Sequence, residues 1–427
     1  MKLVLHTVKR KYYSTKVPPY APEVVPYQGE GVTVRRQEVV GYNGDEAVAF
    51  AAKQSRVDVV AAYPITPQTI IVERFSEYVA DGEVDTEFVC VESEHSAASA
   101  CIGASLTGAR VFTATSSQGL ALMHEVLYAT SGLRCPIVMA VANRALSAPL
   151  SIHNDRSDMM GSRDCGWIQI YVENTQEAYD WTIQAFKIAE NLAVQLPVTI
   201  NLDGFVISHA METMNALADE DVAKFLPPRK AFFKIDPEHP VSVGSLFLPE
   251  YYYEVKRQQE EALRKSAEVV DQVAKEYCSL SGREYGILEV CGMDDAEAAI
   301  LCMGSTAGTA RSVLRKMRAE GKKVGLIKLW LYRPFPVGEL LSVVGNLKAL
   351  AVMDMSLSFG APVGALCSDV ASALQMNGSN LKVFNVIYGL GGRDIRPAEI
   401  EGIFDEVLAV AKTGVVKEHV EFVGVRE

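Results

Sequence analysis

The chain has 427 residues, of which 49% are apolar and 22% charged, and this composition excludes a disordered or collagen-like protein. Its 41 basic and 53 acidic residues give a net charge of −12, which argues against a general nucleic-acid binder because such proteins present a basic face. No apolar run reaches the roughly 18 residues of a membrane span, and the start lacks a signal-peptide pattern. We therefore expect a cytoplasmic protein that contacts neither membrane nor nucleic acid.

Residues 1–35 are rich in Pro, Tyr, Val and basic residues and show no periodicity. They are interpreted either as an arm that lies on another surface or as a tail. From 36 to 225, short apolar strands alternate with helices, which predicts a parallel sheet with helices on both faces. The strands are predicted at 57–63, 87–91, 110–115, 136–142 and 197–202, and the helices at 46–55, 68–80, 96–107, 118–131 and 175–192.

Residues 226–285 are predicted to form a linker with a long charged helix at 251–278. A second alternation follows over 286–427 and predicts a smaller α/β domain. Its strands are predicted at 298–303, 323–330, 349–353 and 383–388, and its helices at 306–319, 337–344, 361–375 and 397–412. The predicted order is therefore arm, larger α/β domain, linker helix and smaller α/β domain.

Polar residues follow the predicted strands of the first domain, at the sheet edge where open α/β sheets bind their ligands. They are Thr66, Glu92, Glu94, Ser116, Ser117, Gln118, Asn143, Arg144 and Asp203. A carboxylate, a hydroxyl and a guanidinium at one sheet edge suit a site that moves protons near an anionic substrate.

Structural interpretations of the same residues stay open at this point. Thr66 and the two glutamates would each cap the helix that follows. Arg144, at the end of a buried strand, would pair with a substrate carboxylate or simply with Asp155, Asp158 or Asp164.

Metal chemistry is not expected from this chain. Its eight cysteines form no C-x-x-C pair and are interpreted as buried free thiols, and its seven histidines show no ligand spacing. The turn at 304–309 resembles a phosphate-binding loop, but the start of a helix is the favoured interpretation.

Seven motifs together resemble one known family, although each alone is weak. In chain order they are Tyr63-Pro64-Ile65-Thr66-Pro67, Glu92-Ser93-Glu94, Thr115-Ser116-Ser117-Gln118-Gly119-Leu120, Asn143-Arg144-Ala145-Leu146, Asp203-Gly204-Phe205, Leu331-Tyr332-Arg333-Pro334-Phe335-Pro336 and Tyr388-Gly389-Leu390-Gly391-Gly392-Arg393-Asp394. They resemble the alpha subunit of 2-oxoacid:ferredoxin oxidoreductases, in particular the pyruvate type (pyruvate synthase), over residues 36–415.

The resemblance implies a thiamine-diphosphate-binding-fold pyrimidine domain followed by a smaller transketolase-C-like α/β domain. It implies an enzyme active only with beta, gamma and delta subunits, which converts a 2-oxo acid and coenzyme A to an acyl-CoA and CO2. The thiamine diphosphate would be shared with the beta subunit. Mg²⁺ and [4Fe–4S] clusters would lie in the partner subunits and pass electrons to ferredoxin.

The resemblance also implies roles for individual residues. Glu94 would hydrogen-bond N1′ of the aminopyrimidine ring, and Thr66 and Arg144 would bind the substrate carboxylate. The further residues implied for the cofactor are Pro64, Ile65, Ser117 and Gln118, and Asn143 is implied for the substrate.

One residue departs from the pyruvate pattern. Arg156 stands where pyruvate enzymes often carry a neutral residue or His, so it would either favour a second anionic group or pair with Asp158. Phenylglyoxylate, 2-oxoglutarate and branched-chain 2-oxo acids therefore stay open as substrates. A non-catalytic assembly subunit and a transketolase-type group transferase without electron transfer also stay open.

Overall fold

The computed structural model describes residues 37–426, so the predicted arm at 1–35 lies outside the described residues. The elements up to residue 225 are β1 (Gln37–Tyr42), α1 (Gly44–Gln54), β2 (Val59–Ala62), α2 (Thr69–Ala80), β3 (Glu87–Cys90), α3 (Glu94–Leu106), β4 (Val111–Thr115), α4 (Ser117–Gly132), β5 (Ile137–Asn143), α5 (Ser157–Gly161), β6 (Ile168–Tyr171), α6 (Thr175–Ala189), β7 (Val198–Asp203), β8 (Glu212–Leu217) and α7 (Asp219–Phe225).

The later elements begin with the long helix predicted in the linker. They are α8 (Pro249–Ser281), β9 (Leu288–Cys291), β10 (Ala298–Cys302), α9 (Thr306–Ala319), β11 (Val324–Leu329), β12 (Leu331–Arg333), α10 (Val337–Val344), β13 (Ala349–Asp354), α11 (Ala365–Met376), β14 (Lys382–Ile387), α12 (Pro397–Thr413) and β15 (Val420–Phe422). Within 37–426 no helix is long and apolar enough to cross a bilayer.

Local sequence explains where several helices begin and end. Asn43 accepts the backbone N–H of Glu46 at 2.9 Å, and the Glu46 carboxylate accepts the N–H of Asn43 at 3.0 Å, a capping box that starts α1. Pro249 occupies the first turn of α8, where a missing N–H costs nothing, and Gly282 ends that helix at φ +75°.

Seven strands form the larger sheet, in the order β12-β6-β7-β5-β4-β2-β3. All neighbours run parallel except β12, which pairs antiparallel with β6. Alternate residues of β5 enter different cores, Val138 and Ala140 on one face and Ile137 and Met139 on the other. Both faces are therefore covered, and the predicted parallel sheet with helices on both faces is confirmed.

Six strands form the second sheet, in the order β15-β14-β13-β10-β11-β9, and only β9 runs antiparallel to its neighbour. The four strands predicted here occupy its centre. Six strands were not predicted. Strands β9, β12 and β15 have only three or four residues and lie at sheet edges, and β6 has only four residues. Strands β1 and β8 pair with each other in a separate two-stranded sheet.

The two sheets share a hydrophobic core. Met139 of the larger sheet belongs to the same buried cluster as Leu301 and Leu350 of the second sheet. Strand β12, from the later half of the chain, completes the edge of the larger sheet. The division into domains at residue 286 stays a prediction. The shared core packs the later half of the chain against the larger sheet, next to the strand ends that carry the polar residues.

Candidate active site

The carboxyl ends of β2, β3, β4, β5 and β7 meet at one edge of the larger sheet, as parallel neighbours must. Arg144, which follows β5, donates from Nη1 to the carbonyl oxygen of Thr66, which follows β2, at 2.9 Å. Gly119, in the first turn of α4, lies against the side chain of Glu94 at the start of α3. The predicted residues Thr66, Glu94 and Arg144 therefore lie along one continuous edge.

Glu94 is the first residue of α3 and is only 7% exposed. Ser93 caps this helix by accepting the N–H of Ser96 at 3.2 Å, so the interpretation of Glu94 as the helix cap is wrong. Across residues 37–426 the Glu94 carboxylate has neither a hydrogen-bond nor an ion-pair partner. The carboxylate oxygens are not fully enclosed, so this nearly buried side chain presents an open acceptor, a position that suits a ligand.

The surroundings of Glu94 fit the ring of an aminopyrimidine. A Cβ at position 119 would lie 2.6 Å from both Glu94 Oε1 and Thr115 Oγ1, so only glycine leaves room for this carboxylate. Thr115 Oγ1, Ser116 Oγ and Gln118 Nε2 are buried and have no partner within the described residues. Because buried polar atoms are nearly always hydrogen-bonded, a carboxylate, two hydroxyls and an amide left open together fit a ligand with nitrogen donors and acceptors.

Ser117 holds the start of α4 rather than presenting a free hydroxyl. Its Oγ lies 2.6 Å from the carbonyl oxygen of Ala145 and 2.6 Å from Gln118 Oε1, and its N–H donates to Asp158 at 3.0 Å. Its φ of +48° lies in the left-handed region, which a non-glycine residue adopts only when its surroundings enforce it. Ser117 would thus contribute to the predicted cofactor site by shaping the turn at the start of α4.

Arg144 is 7% exposed and carries a charge that no side chain neutralises within 37–426. Its Nε donates to the carbonyl oxygen of Ser151 at 3.0 Å, and its Nη1 donates to that of Thr66. Burial lowers the pKa of Arg144, while the charge of Asp158 raises it. A guanidinium held by carbonyls alone suits an incoming carboxylate.

None of the three internal carboxylates considered for Arg144 pairs with its guanidinium. Asp155 accepts the N–H and hydroxyl of Ser157, and Asp164 contacts Arg333 at 3.3 Å. Asp158 accepts the backbone N–H of Arg144 at 3.0 Å but not its side chain. The internal-pairing interpretation of Arg144 is therefore wrong.

Thr66 is exposed, and its hydroxyl has no partner in the described part of the chain. Gln68, and not Thr66, stands at the N-cap position of α2, where no side chain caps the helix. The capping interpretation of Thr66 is therefore wrong, and its hydroxyl stays open beside the Arg144 contact. Pro64 is exposed and Ile65 is half-buried, and their predicted contacts with the cofactor stay predictions.

Asn143 is fully buried, and its contact with the substrate stays a prediction. Its Nδ2 donates to Asp158 Oδ1 at 2.9 Å, and its Oδ1 has no partner among residues 37–426. Asp158 and Gly119 are site residues that the sequence reasoning missed. The signal for Gly119 is its place directly after the Ser-Ser-Gln turn. The sequence alone indicates Asp158 only as an internal partner of Arg144 or Arg156.

Both interpretations of Arg156 are wrong. Its guanidinium is 1% exposed and pairs with Asp203, at 3.0 Å from Nε and 2.9 Å from Nη2, rather than with Asp158. Nη2 also donates to the carbonyl oxygen of Met303, and the Arg156 N–H donates to that of Met355. Arg156 therefore fastens the two halves of the chain together, and Asp203 neutralises its charge.

Asp203 also explains the turn at 304–309. It accepts the N–H and hydroxyl of Ser305 at 2.9 and 2.7 Å, directly before α9. The protein's own carboxylate thus occupies the position that a phosphate would take. Among residues 37–426, no group of three or more His, Cys, Asp or Glu side chains could hold a metal ion.

Comparison with known proteins identifies the family. Residues 50–275 match the family model described as pyruvate flavodoxin/ferredoxin oxidoreductase, thiamine diphosphate-binding, and 296–400 match pyruvate:ferredoxin oxidoreductase core domain II. The pyruvate synthase subunit PorA of Thermotoga maritima is 47% identical, with 91% of this chain and 99% of that protein covered. The corresponding subunit of Methanocaldococcus jannaschii is 48% identical, with 87% and 95% covered.

Two further proteins show how wide the likeness is. The ketoisovalerate oxidoreductase subunit VorA of Pyrococcus abyssi is 44% identical, with 89% of this chain and 96% of that protein covered. A solved 2-oxoglutarate:ferredoxin oxidoreductase from Magnetococcus marinus is 20% identical and has the same fold, with a TM-score of 0.68 over 87% of this chain and 66% of that one. The chain therefore belongs to the family of 2-oxoacid:ferredoxin oxidoreductase alpha subunits that includes the pyruvate synthase PorA subunits.

Proposed function

We propose that this chain is the alpha subunit of a 2-oxoacid:ferredoxin oxidoreductase that oxidises pyruvate and coenzyme A to acetyl-CoA and CO2 and passes the two electrons released to ferredoxin. One observation carries the proposal: a nearly buried carboxylate, Glu94, lies against Gly119 and has no partner among residues 37–426. The second element is Arg144, a guanidinium held only by backbone carbonyls at the same edge.

Glu94 would hold the N1′ side of the aminopyrimidine ring, together with the buried polar atoms around it. Bound thiamine diphosphate supplies a carbon nucleophile and a sink for the electron pair released on decarboxylation. Glu94 would share a proton with N1′, which sets the basicity of the exocyclic nitrogen across the ring. Gln118 Nε2 and Ser116 Oγ, both buried and open, would orient the ring by hydrogen bonds.

Arg144 and the hydroxyl of Thr66 would bind the carboxylate of the 2-oxo acid. A charge-assisted hydrogen bond in a partly buried site contributes about 1.5–3 kcal/mol, enough to fix which end of the substrate faces the sheet. Arg156 adds no second cation here because Asp203 neutralises it. This arrangement supports a monocarboxylic 2-oxo acid, and pyruvate is proposed from the PorA relatives.

Partner subunits are part of the proposal. The beta subunit would supply the diphosphate side of the cofactor with Mg²⁺ and a [4Fe–4S] cluster, and the gamma and delta subunits would complete the path to ferredoxin. The eight cysteines of this chain are all free, which fits a reducing compartment and supports a cytoplasmic location.

The experiment compares Glu94→Gln with the wild type in the co-purified complex. We expect the variant to retain thiamine diphosphate but to lose turnover by about 100-fold or more, as expected when a proton-transfer group is neutralised. Unchanged turnover would exclude this role for Glu94. A panel of pyruvate, 2-oxoglutarate, phenylglyoxylate and branched-chain 2-oxo acids, each with coenzyme A, then identifies the substrate.

The VorA relatives favour a branched-chain acid as the second candidate substrate. A higher kcat/KM for ketoisovalerate than for pyruvate in the panel would replace pyruvate by that acid. An assembly role without catalysis predicts that Glu94→Gln changes nothing while the complex still forms. A group transferase without electron transfer predicts a purified complex that contains no iron.

A further inference from the structure

Asp158 lies between the two halves of the site and is bonded to both. One carboxylate oxygen, Oδ2, accepts the N–H of Ser117 and the N–H of Arg144, both at 3.0 Å. The other, Oδ1, accepts Nδ2 of Asn143 at 2.9 Å and the N–H of Met159 at 2.7 Å. The donors come from the start of α4, the end of β5 and the start of α5.

These four donors match an ionised carboxylate, which offers about four acceptor sites on its two oxygens. Asp158 is 3% exposed, and no cation pairs with it within the described residues. The set of N–H groups therefore supplies its hydrogen-bond compensation for burial. Burial raises the pKa of Asp158 to about 7, and the four hydrogen bonds oppose that rise.

We infer that Asp158 is the positioning residue that sets the Arg144 guanidinium and the Ser117–Gln118 turn at a fixed separation. The inference rests on the proposed function, because it takes Arg144 as the substrate-binding group and the turn at the start of α4 as part of the cofactor site. One oxygen bridges the two backbone N–H groups, so neither strand β5 nor helix α4 can shift without breaking a bond to Oδ2.

The left-handed backbone of Ser117 strengthens this argument. A serine at φ +48° needs its conformation enforced, and the bond from its N–H to Asp158 is one of the contacts that enforce it. Asp158→Asn would place an amide NH2 against donors that need acceptors. We expect the turn at Ser117 and the backbone at Arg144 to relax apart.

The second half of the chain provides a matched control. Asp354 is 2% exposed and accepts two backbone N–H groups where Asp158 accepts three, from Leu366 at 2.9 Å and Cys367 at 3.1 Å, together with Nδ2 of Asn385 at 2.9 Å. Asp354→Asn therefore makes the same chemical change in the same kind of setting. In contrast to Asp158, Asp354 bonds to neither Arg144 nor the start of α4.

The test measures KM and kcat of the assembled complex at pH 8, where Asp158 is largely ionised, with pyruvate, coenzyme A and ferredoxin. We expect Asp158→Asn to raise the KM for pyruvate by 10-fold or more and to weaken thiamine diphosphate binding, while Asp354→Asn leaves both unchanged. In an Arg144→Ala background, Asp158→Asn should raise KM by less than 3-fold, because the two residues act through one contact.

If Asp158→Asn does not assemble, Asp158→Glu decides the matter, since it keeps the carboxylate but moves its oxygens away from the N–H groups of Ser117 and Arg144. A rise in KM of a few fold supports the inference, and an unchanged KM overturns it. If the wild-type complex is active and Asp158→Asn behaves like Asp354→Asn, this inference alone is overturned. A wild-type complex inactive on every 2-oxo acid overturns the proposed function, and this inference with it.

Discussion

Gly119 offers the sharpest test of where Glu94 must lie. A Cβ added at position 119 would approach Glu94 Oε1 to 2.6 Å, whereas ordinary contacts begin near 3.4 Å. Gly119→Ala therefore displaces the carboxylate by about 0.8 Å, and a misplacement near 1 Å costs roughly 100-fold in rate. We expect kcat of the complex to fall by about 10- to 100-fold.

Protein stability should respond differently from turnover. The atoms that the new methyl group meets belong to the side chains of Glu94 and Thr115, which can rotate away without moving the backbone. Alanine is favoured over glycine in a helix interior by about 0.5–1 kcal/mol. The free energy of unfolding of Gly119→Ala should therefore lie within about 1 kcal/mol of the wild-type value in urea titrations.

Gly103 provides the control because a Cβ there meets nothing within 4 Å and the residue is also helical. Gly103→Ala should leave kcat unchanged. The double variant Gly119→Ala with Glu94→Gln should be no slower than Glu94→Gln alone, because the displaced carboxylate is already absent. A Gly119→Ala complex that binds thiamine diphosphate and keeps at least half of the wild-type kcat would refute the assigned position of Glu94.

Two further predictions concern the arginines. Arg144→Ala should raise the KM for the 2-oxo acid by about 10- to 100-fold, since a charge-assisted hydrogen bond of about 1.5–3 kcal/mol is lost. An unchanged KM in steady-state assays would show that Arg144 has a structural role and does not bind the substrate. Asp203→Asn should lower the free energy of unfolding by about 3–5 kcal/mol because it leaves Arg156 buried and without its ion-pair partner. The control is Glu261→Gln, which breaks an exposed ion pair on α8 and should change the free energy of unfolding by less than about 1 kcal/mol. Equal losses for the two variants in urea titrations would contradict the argument.

The sequence predicted the central strands and long helices because each carries a strong apolar pattern. The edge strands β9, β12 and β15 are too short for any period to appear, and their pairing depends on contacts between distant parts of the chain. The sheet-edge rule located Thr66, Glu94 and Arg144, since that rule depends only on where strands end. It could not decide which of them are already bonded within the protein.

Arg156 shows why that second question needs the fold. In the sequence it stands two residues before Asp158 and twelve after Arg144, so proximity suggested a role at the substrate. In the structure its guanidinium turns to Asp203 and Met303, which are 47 and 147 residues away along the chain. A buried arginine pairs with the carboxylate that the packing of the two sheets places beside it, so its partner is determined by tertiary structure. Arg144 is the opposite case: within residues 37–426 the same packing gives its guanidinium carbonyl oxygens and no carboxylate partner, which is why we propose it as the group that binds a substrate anion.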